Sequence, residues 1–507
     1  MSFLKGTFFL FFPAVLVLYH ALPGRFRALW LLLCSLCFYY LVNPAFVPVL
    51  LCYIAFTFGA GLLLEKHRTA SQAESGAGSD TESGIQSKAG GAGSAAERRA
   101  GTALLAACLV ALFSILLVFK YLPKGPFLIM PAGLSFFTFE AAGYLIDVYK
   151  GREAEKNPVI LALFLSFFPQ LLSGPIARAE SLLPQLNRLK EERPSLKRSL
   201  PALYSGFFLL LWGYFLKLVA ADRAALFVDK VFGDFPNYPG TVVFVSALLY
   251  VLQLYCDFFG YTTIAAGAAE MLGIKLEDNF GAPFFASSFG EFWRRWHRSL
   301  TGWFRDYLYF PLGGSRKGQL RKYVNMLIVF TVSGIWHGNS LNFAVWGLLN
   351  GVLLVWSDWT MPFRKKLCGL LKLDPASFSH RLYASLVVLL EFTLGTVFFR
   401  APSVGEALRI LKHMALHPGI RAFQQSLFFA EGEAMPGARD VRILLFALGV
   451  LLWADWQKYR GKRVRDWIFA QEAWFRDALI IAAPLLILFL GIWGEAFTSS
   501  SFVYVHF

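Results

Sequence analysis

Residues 291–307 read Glu291-Phe-Trp-Arg-Arg-Trp-His-Arg-Ser-Leu-Thr-Gly-Trp-Phe-Arg-Asp-Tyr307, an aromatic and basic run set between long apolar stretches. Wound as one helix at about 100° per residue, the run places Arg294, Arg295, Arg298 and Arg305 on one arc and Trp293, Trp296, Leu300, Trp303 and Phe304 on the opposite side. That is a basic amphipathic helix of the membrane-interface type. Beyond it the chain enters a second apolar stretch whose polar content is concentrated in Trp336-His-Gly-Asn339 and Asn342. A histidine in such surroundings is costly unless it has a use.

Working outward, 56% of the 507 residues are apolar and 16% are charged, the composition of an all-α polytopic membrane protein. Apolar segments of spanning or near-spanning length occur at 8–22, 28–43, 46–64, 102–119, 127–146, 201–220, 241–256, 325–336, 342–357, 382–399, 442–456 and 477–496. A further run, 159–174, contains Pro169, ends in Ser173-Gly-Pro175 and has basic residues on both flanks, so it is expected to be re-entrant rather than crossing. About 12 transmembrane helices are therefore expected, with re-entrant and interfacial helices beside them.

The formal charge of +15 would fit nucleic acid, anionic lipid or the loop bias of a membrane protein. Alternating the spans places 35 of the 48 Lys and Arg residues in loops on one side. That side is expected to be cytoplasmic, with both termini extracytoplasmic, and nucleic-acid binding loses its main support. The first apolar run lacks a small-residue cleavage site and reads as a retained span. Residues 69–100, rich in Gly, Ala and Ser, are expected to form a flexible cytoplasmic loop. Residues 178–199 carry a Leu-rich, mixed-charge pattern expected to give short helices on the cytoplasmic face, and 400–442 is the longest outer loop.

Two histidines are candidates for chemistry. The segment 323–336 would rise only about 20 Å as a helix, less than the hydrocarbon thickness of about 30 Å, which places His337 within the membrane's depth with a bend at Gly338 and Asn339. Burial disfavours the imidazolium, so the ring would serve as a general base; the alternative is a histidine that hydrogen-bonds a neighbouring helix. His297, at the edge between the two faces of the amphipathic run, is either functional or an interfacial polar residue. The four arginines either meet anionic lipid or hold a phosphorylated donor by bidentate bonds. Glu140, Asp147, Gln170, Gln253, Tyr255 and Asp257 would line a water-filled path or stitch helices together, and the structural role is favoured for each. The six cysteines lie mostly in apolar runs and read as packing residues. No phosphate loop, nucleophile elbow or metal-ligand spacing is present, so no metal is expected.

The run from Phe292 to Gly314, followed by Ser333-Gly-Ile-Trp-His-Gly338 and Trp346-Gly347, resembles the signature of the membrane-bound O-acyltransferase superfamily, most similarly its bacterial alginate and peptidoglycan O-acetyltransferase branch. Thr138 to Tyr149, Phe168 to Ile176, Gln253 to Tyr261 and Val397 to Ala401 have the same look, so the resemblance covers residues 134–401. It implies that His337 is the family's catalytic histidine and His297 its second characteristic histidine. It also implies a central funnel joining a cytoplasmic thioester donor, acetyl-CoA, to a polysaccharide acceptor outside, and a separate extracytoplasmic esterase-like transferase as partner. Location in a bacterial inner membrane, in contact with membrane lipid, follows from the same resemblance. A D-alanyl transfer protein for teichoic acid, using a carrier-protein thioester, is the neighbouring alternative within the class. A polysaccharide transporter or channel is the alternative outside it.

Overall fold

The computed structural model describes residues 3–76, 88–122, 130–172, 174–191, 196–419 and 437–493. The described residues form helices joined by short loops, with no strand among them. The chain divides into two compact units, Met1–Leu203 with Ala269–Leu276, and Tyr204–Ala268 with Glu277–Phe507.

Eight helical stretches are long and apolar enough to cross a membrane: Gly24–Val42, Pro44–Ala70, Arg99–Tyr121, Ser199–Gly233, Gly240–Met271, Leu341–Trp359, Phe378–Arg400 and Ala473–Leu490. The other expected spans correspond to helices that are shorter or more polar. Gly6–Ala21 has 16 residues and Leu134–Lys150 has 17. Gln319–His337 begins with Gln319, Arg321, Lys322 and Asn325, and Ala438–Tyr459 carries Arg439, Asp440, Arg442, Asp455 and Lys458.

In the first unit, α1 (Gly6–Ala21) and α2 (Gly24–Val42) pack through a cluster of phenylalanines, Phe3, Phe8, Phe12 and Phe38, onto Phe168. α3 (Val47–Gly76) pairs with α4 (Lys88–Tyr121), where the Tyr53 hydroxyl donates to the Leu112 carbonyl at 2.8 Å. α3 and α4 thus enter residues 69–100 from both ends, so the helical part of the expected flexible loop is structured by continuation of two spans; residues 77–87 lie outside the described residues. α5 (Leu134–Lys150) packs on α3 so closely that a Cβ at Gly61 would sit 2.9 Å from the Tyr144 ring. The run expected to be re-entrant is two short helices, α6 (Pro158–Ser166) and α7 (Phe168–Leu171), broken at Phe167 before Pro169. Neither reaches the roughly 20 residues a crossing needs. α8 (Ala179–Arg188) buries Leu182, Leu183 and Leu186 beneath the mixed-charge segment and has the amphipathic form its pattern predicts. Glu140 and Gln170 stitch this unit: Glu140 accepts from the Ala177 N–H at 3.0 Å, and the Gln170 amide donates to Phe164 O at 2.8 Å.

In the second unit, the last part of α9 (Leu196–Tyr214) runs into a π-helical turn, Phe215–Ala221, and then α10 (Asp222–Gly233). α9 lies against α11 (Gly240–Met271) across glycines: a Cβ at Gly213 would come 2.7 Å from Gly260 O, and one at Gly267 would come 2.6 Å from Gly206 O. Small residues allow this approach, as membrane helix pairs require. Beside the glycines a fully buried Lys217 ammonium is held by Asp222 at 2.7 Å and Asp257 at 2.6 Å. The Tyr255 hydroxyl donates to Asp455 at 2.8 Å, tying α11 to the helix Ala438–Tyr459. Arg223 pairs with Asp440 and donates to Leu490 O, which ties α10 to that helix and to Ala473–Leu490. Glu140, Gln170, Tyr255 and Asp257 all take the stitching role favoured for them.

Candidate active site

The aromatic and basic run does not form one helix. It forms α12 (Phe289–Arg295) and α13 (Arg298–Phe304), separated by Trp296 in extended conformation and His297 in the left-handed region at φ 44° and ψ 55°. The cause lies in a distant segment. The Asn279 carbonyl accepts from the Arg298 N–H at 2.9 Å and its side-chain oxygen accepts from the Ser299 N–H at 3.1 Å, while the Gly281 N–H donates to Arg295 O at 2.9 Å. Residues 279–281 therefore satisfy the groups that a continuous helix would have paired internally. A left-handed conformation costs a non-glycine residue about 1 kcal/mol or more and marks a position held by its surroundings.

The partition of side chains survives the break. Trp293, Trp296, Leu300, Trp303 and Phe304 are buried, whereas Arg294, Arg298 and Arg305 are exposed. Arg295 departs from the expected arc. Its guanidinium pairs with Glu291 at 2.6 Å, reaches Gly281 O and Ala282 O, and lies 4.9 Å from the Tyr459 ring centre. Arg305 pairs with Asp306 at 2.8 Å while remaining exposed. Burial works against the Glu291 carboxylate, but hydrogen bonds from the Ser287 N–H and hydroxyl and from Arg295 hold it below the usual range.

His297 is fully enclosed at 1% exposure, with the Phe258 ring 4.6 Å away at 84° and the Trp336 indole 6.4 Å away. Burial pushes its imidazole down to about 3, so the ring is neutral at physiological pH.

His337 is the last residue of α14 (Gln319–His337), before the turn into α15 (Leu341–Trp359). The two helices form a tight hairpin: a Cβ at Gly334 would overlap the Phe343 carbonyl and come within 2.9 Å of Gly347 Cα, and one at Gly338 would overlap the Phe343 ring. Residues 338–340 make the bend, as Gly338 and Asn339 predict. His337 is 3% exposed and boxed by aromatic rings, Trp336 at 4.7 Å, Trp346 at 5.1 Å and Phe399 at 5.5 Å between centres. Phe399 comes from α17 (Phe378–Arg400), and Asn342 secures it there: the buried amide donates to Phe398 O at 3.1 Å and Ala401 O at 2.7 Å. A capping Asn at the start of one helix thereby sets the wall supplied by another.

The structure thus brings the two sequence-selected histidines to one indole: Trp336 stands within 6.4 Å of both rings. Both are enclosed in aromatic surroundings that shield the imidazoles from bulk water.

A family model for the membrane-bound O-acyltransferase family matches residues 157–369, which include both histidines and all four arginines. A probable alginate O-acetylase from Pseudomonas fluorescens is 32% identical over 416 residues, 81% of this chain and 74% of that protein. The peptidoglycan O-acetyltransferase of Helicobacter pylori is 32% identical over 432 residues, 77% of this chain and 74% of its own length. The chain belongs to the membrane-bound O-acyltransferase family. As a member it is an acyltransferase, which sets aside the transporter alternative. The teichoic acid D-alanyltransferase of Bacillus subtilis is more distantly similar, 28% identical over 253 residues, 46% of this chain and 60% of that protein.

Sequence reasoning missed the Lys217 cluster and the two asparagines that set the histidines in place, Asn279 and the full role of Asn342. Lys217 stands alone in an apolar run, a signal that was available. Asn279 gave none, because its role depends on where the chain returns.

Proposed function

We propose that the chain is a membrane O-acetyltransferase of a bacterial inner membrane, which takes an acetyl group from cytoplasmic acetyl-CoA for O-acetylation of an extracytoplasmic polysaccharide. The observation that carries this reading is the pair of enclosed histidines flanking Trp336, in a chain whose extensively matching relatives are named for O-acetyl transfer to alginate and peptidoglycan. His337 is the general base. It takes the proton of the acceptor hydroxyl as the oxygen attacks the thioester carbonyl carbon; the carbon–oxygen bond forms, the carbon–sulfur bond breaks, and the thiolate leaves and is protonated. His297, neutral and held in a strained backbone position, acts with it through the Trp336 indole that both rings approach.

Arg294 and Arg298 are exposed guanidiniums suited to the phosphates of the donor; Arg305, though exposed, would have to exchange its pairing with Asp306 to join them, and Arg295 is committed to Glu291 and contributes by holding α12 in place. Acetyl-CoA is a substrate in this reading, not a resident group. A separate extracytoplasmic esterase-like transferase completes the placement of the acetyl group on the polymer. The D-alanyl alternative is disfavoured because its relative matches less than half of the chain, against about three quarters or more for the acetyltransferases.

The test is base-released acetate from cell-surface polysaccharide in strains carrying the wild type, His337→Ala or His297→Ala, with membrane levels checked by blot. Acetate is expected to fall by about 100-fold or more in His337→Ala at normal protein level. Undiminished acetate in that strain would show that His337 is structural and overturn the mechanism.

A further inference from the structure

Between α15 and α17 lies α16 (Met361–Leu370), a ten-residue helix with no buried residue. The two helices it joins are both long and apolar enough to cross a membrane, so the connector lies at a membrane surface. On a helical wheel Phe363, Leu367 and Leu370 fall within one narrow arc, and Arg364 and Lys366 flank it on either side. Phe363 is 66% and Leu370 78% exposed, and the stripe continues into exposed Trp356, Trp359 and Phe378 at the facing ends of the two spans. An apolar stripe at that depth, edged by cations, fits the boundary between acyl chains and headgroups.

The charges of the connector are not balanced within the protein. Some cations elsewhere in this unit meet carboxylates, among them Lys322 with Asp358 at 2.6 Å, Arg305 with Asp306 at 2.8 Å and Lys458 with Asp278 at 3.2 Å. Among the described residues Lys365, Lys366, Lys372 and Arg381 make no such pair. The connector's one acid, Asp374, accepts from the Ala376 N–H at 2.8 Å as a local cap. Arg364 is turned back, donating to Ser357 O at 2.5 Å.

We propose that this connector is a binding surface for anionic phospholipid, with Phe363, Leu367 and Leu370 in the acyl boundary and Lys365, Lys366, Lys372 and Arg381 on the headgroup phosphates. The occupant is lipid rather than protein because the cations and the apolar stripe are continuous with the two spans, at the level where headgroups lie.

The test uses the full chain in phosphatidylcholine nanodiscs containing a minor fraction of spin-labelled phosphatidylglycerol or, in parallel, spin-labelled phosphatidylcholine. The wild type is expected to immobilise the anionic probe about fivefold more than the neutral one, and to lose that preference at high salt. The variant Lys365→Gln/Lys366→Gln/Lys372→Gln/Arg381→Gln is expected to lose most of the preference at unchanged helical content. Lys365→Gln/Lys366→Gln, confined to a helix without buried residues, is expected to lose part of it and guards against misfolding of the larger variant. No preference in the wild type, or a preference undiminished in both variants, would overturn the proposal; the second result is also the one a protein-binding role for the connector would give.

Discussion

At the scale of single residues, the two histidines differ in what holds them. His337 is fixed by a helix end and an aromatic box, whereas His297 is fixed by backbone pairing with Asn279 that forces it into the left-handed region. His297 carries a pH dependence with a definite sign. Its folded pKa, lowered by burial to about 3, lies below its ordinary value of 6.5, so between those values the unfolded chain binds a proton that the folded chain does not. Stability supplied by the neutral ring is thus present above pH about 6.5 and is lost as pH falls, on the order of 1 kcal/mol per pH unit through that window. His297→Gln, which cannot titrate, is expected to flatten the decline in melting temperature of the detergent-solubilised protein between neutral and mildly acidic pH. An equally steep decline in the variant would assign the acid sensitivity to other groups.

At the scale of elements, the sequence's amphiphilicity and its helix connectivity were legible to different degrees. The burial of Trp293, Trp296, Leu300, Trp303 and Phe304 and the exposure of Arg294, Arg298 and Arg305 could be read directly, because alternation of tryptophan and arginine is a local property; the tie of Arg295 to Glu291 and the full enclosure of His297 could not. The break at His297 could not, because residues 279–281 make it. The π-helical turn Phe215–Ala221 is a second case. Lys217 and Asp222 are five apart, a spacing that points away from one side of an α-helix but matches the wider π turn, and the third member, Asp257, comes from α11. Lys217→Met would leave two carboxylates in a buried site with no cation between them, and is expected to cost about 3–5 kcal/mol, read as a lower melting temperature. Adding Asp222→Asn and Asp257→Asn removes the uncompensated charge and is expected to restore much of the loss. A single variant as stable as the wild type would mean the ammonium is not what holds α9 and its π turn to α11.

At the scale of the molecule, composition was enough to place the protein in a membrane, while the number of crossings was not fixed by hydropathy alone. α14 shows why: the helix that delivers His337 opens with Arg321 and Lys322, and Lys322 is paired with Asp358, so it reads as less apolar than the helix α15 with which it is tightly paired. Sidedness rests instead on where charge falls. α15 and α17 are both long and apolar enough to cross, which puts the connector between them on one side and α18 (Val404–Leu416) on the other. The connector holds Arg364, Lys365, Lys366, Lys372 and Arg381 against one acid, and the cytoplasmic side retains such segments. The expected outcome can be read with an impermeant maleimide on a chain stripped of its six native cysteines. Lys412→Cys, exposed on α18, should label in intact spheroplasts, and Asp374→Cys, exposed on the connector, only in inverted vesicles. The reverse pattern would turn the whole molecule over. It would put the basic connector on the extracytoplasmic side and would overturn the proposed entry of a cytoplasmic donor from the face that carries the arginine-rich loops.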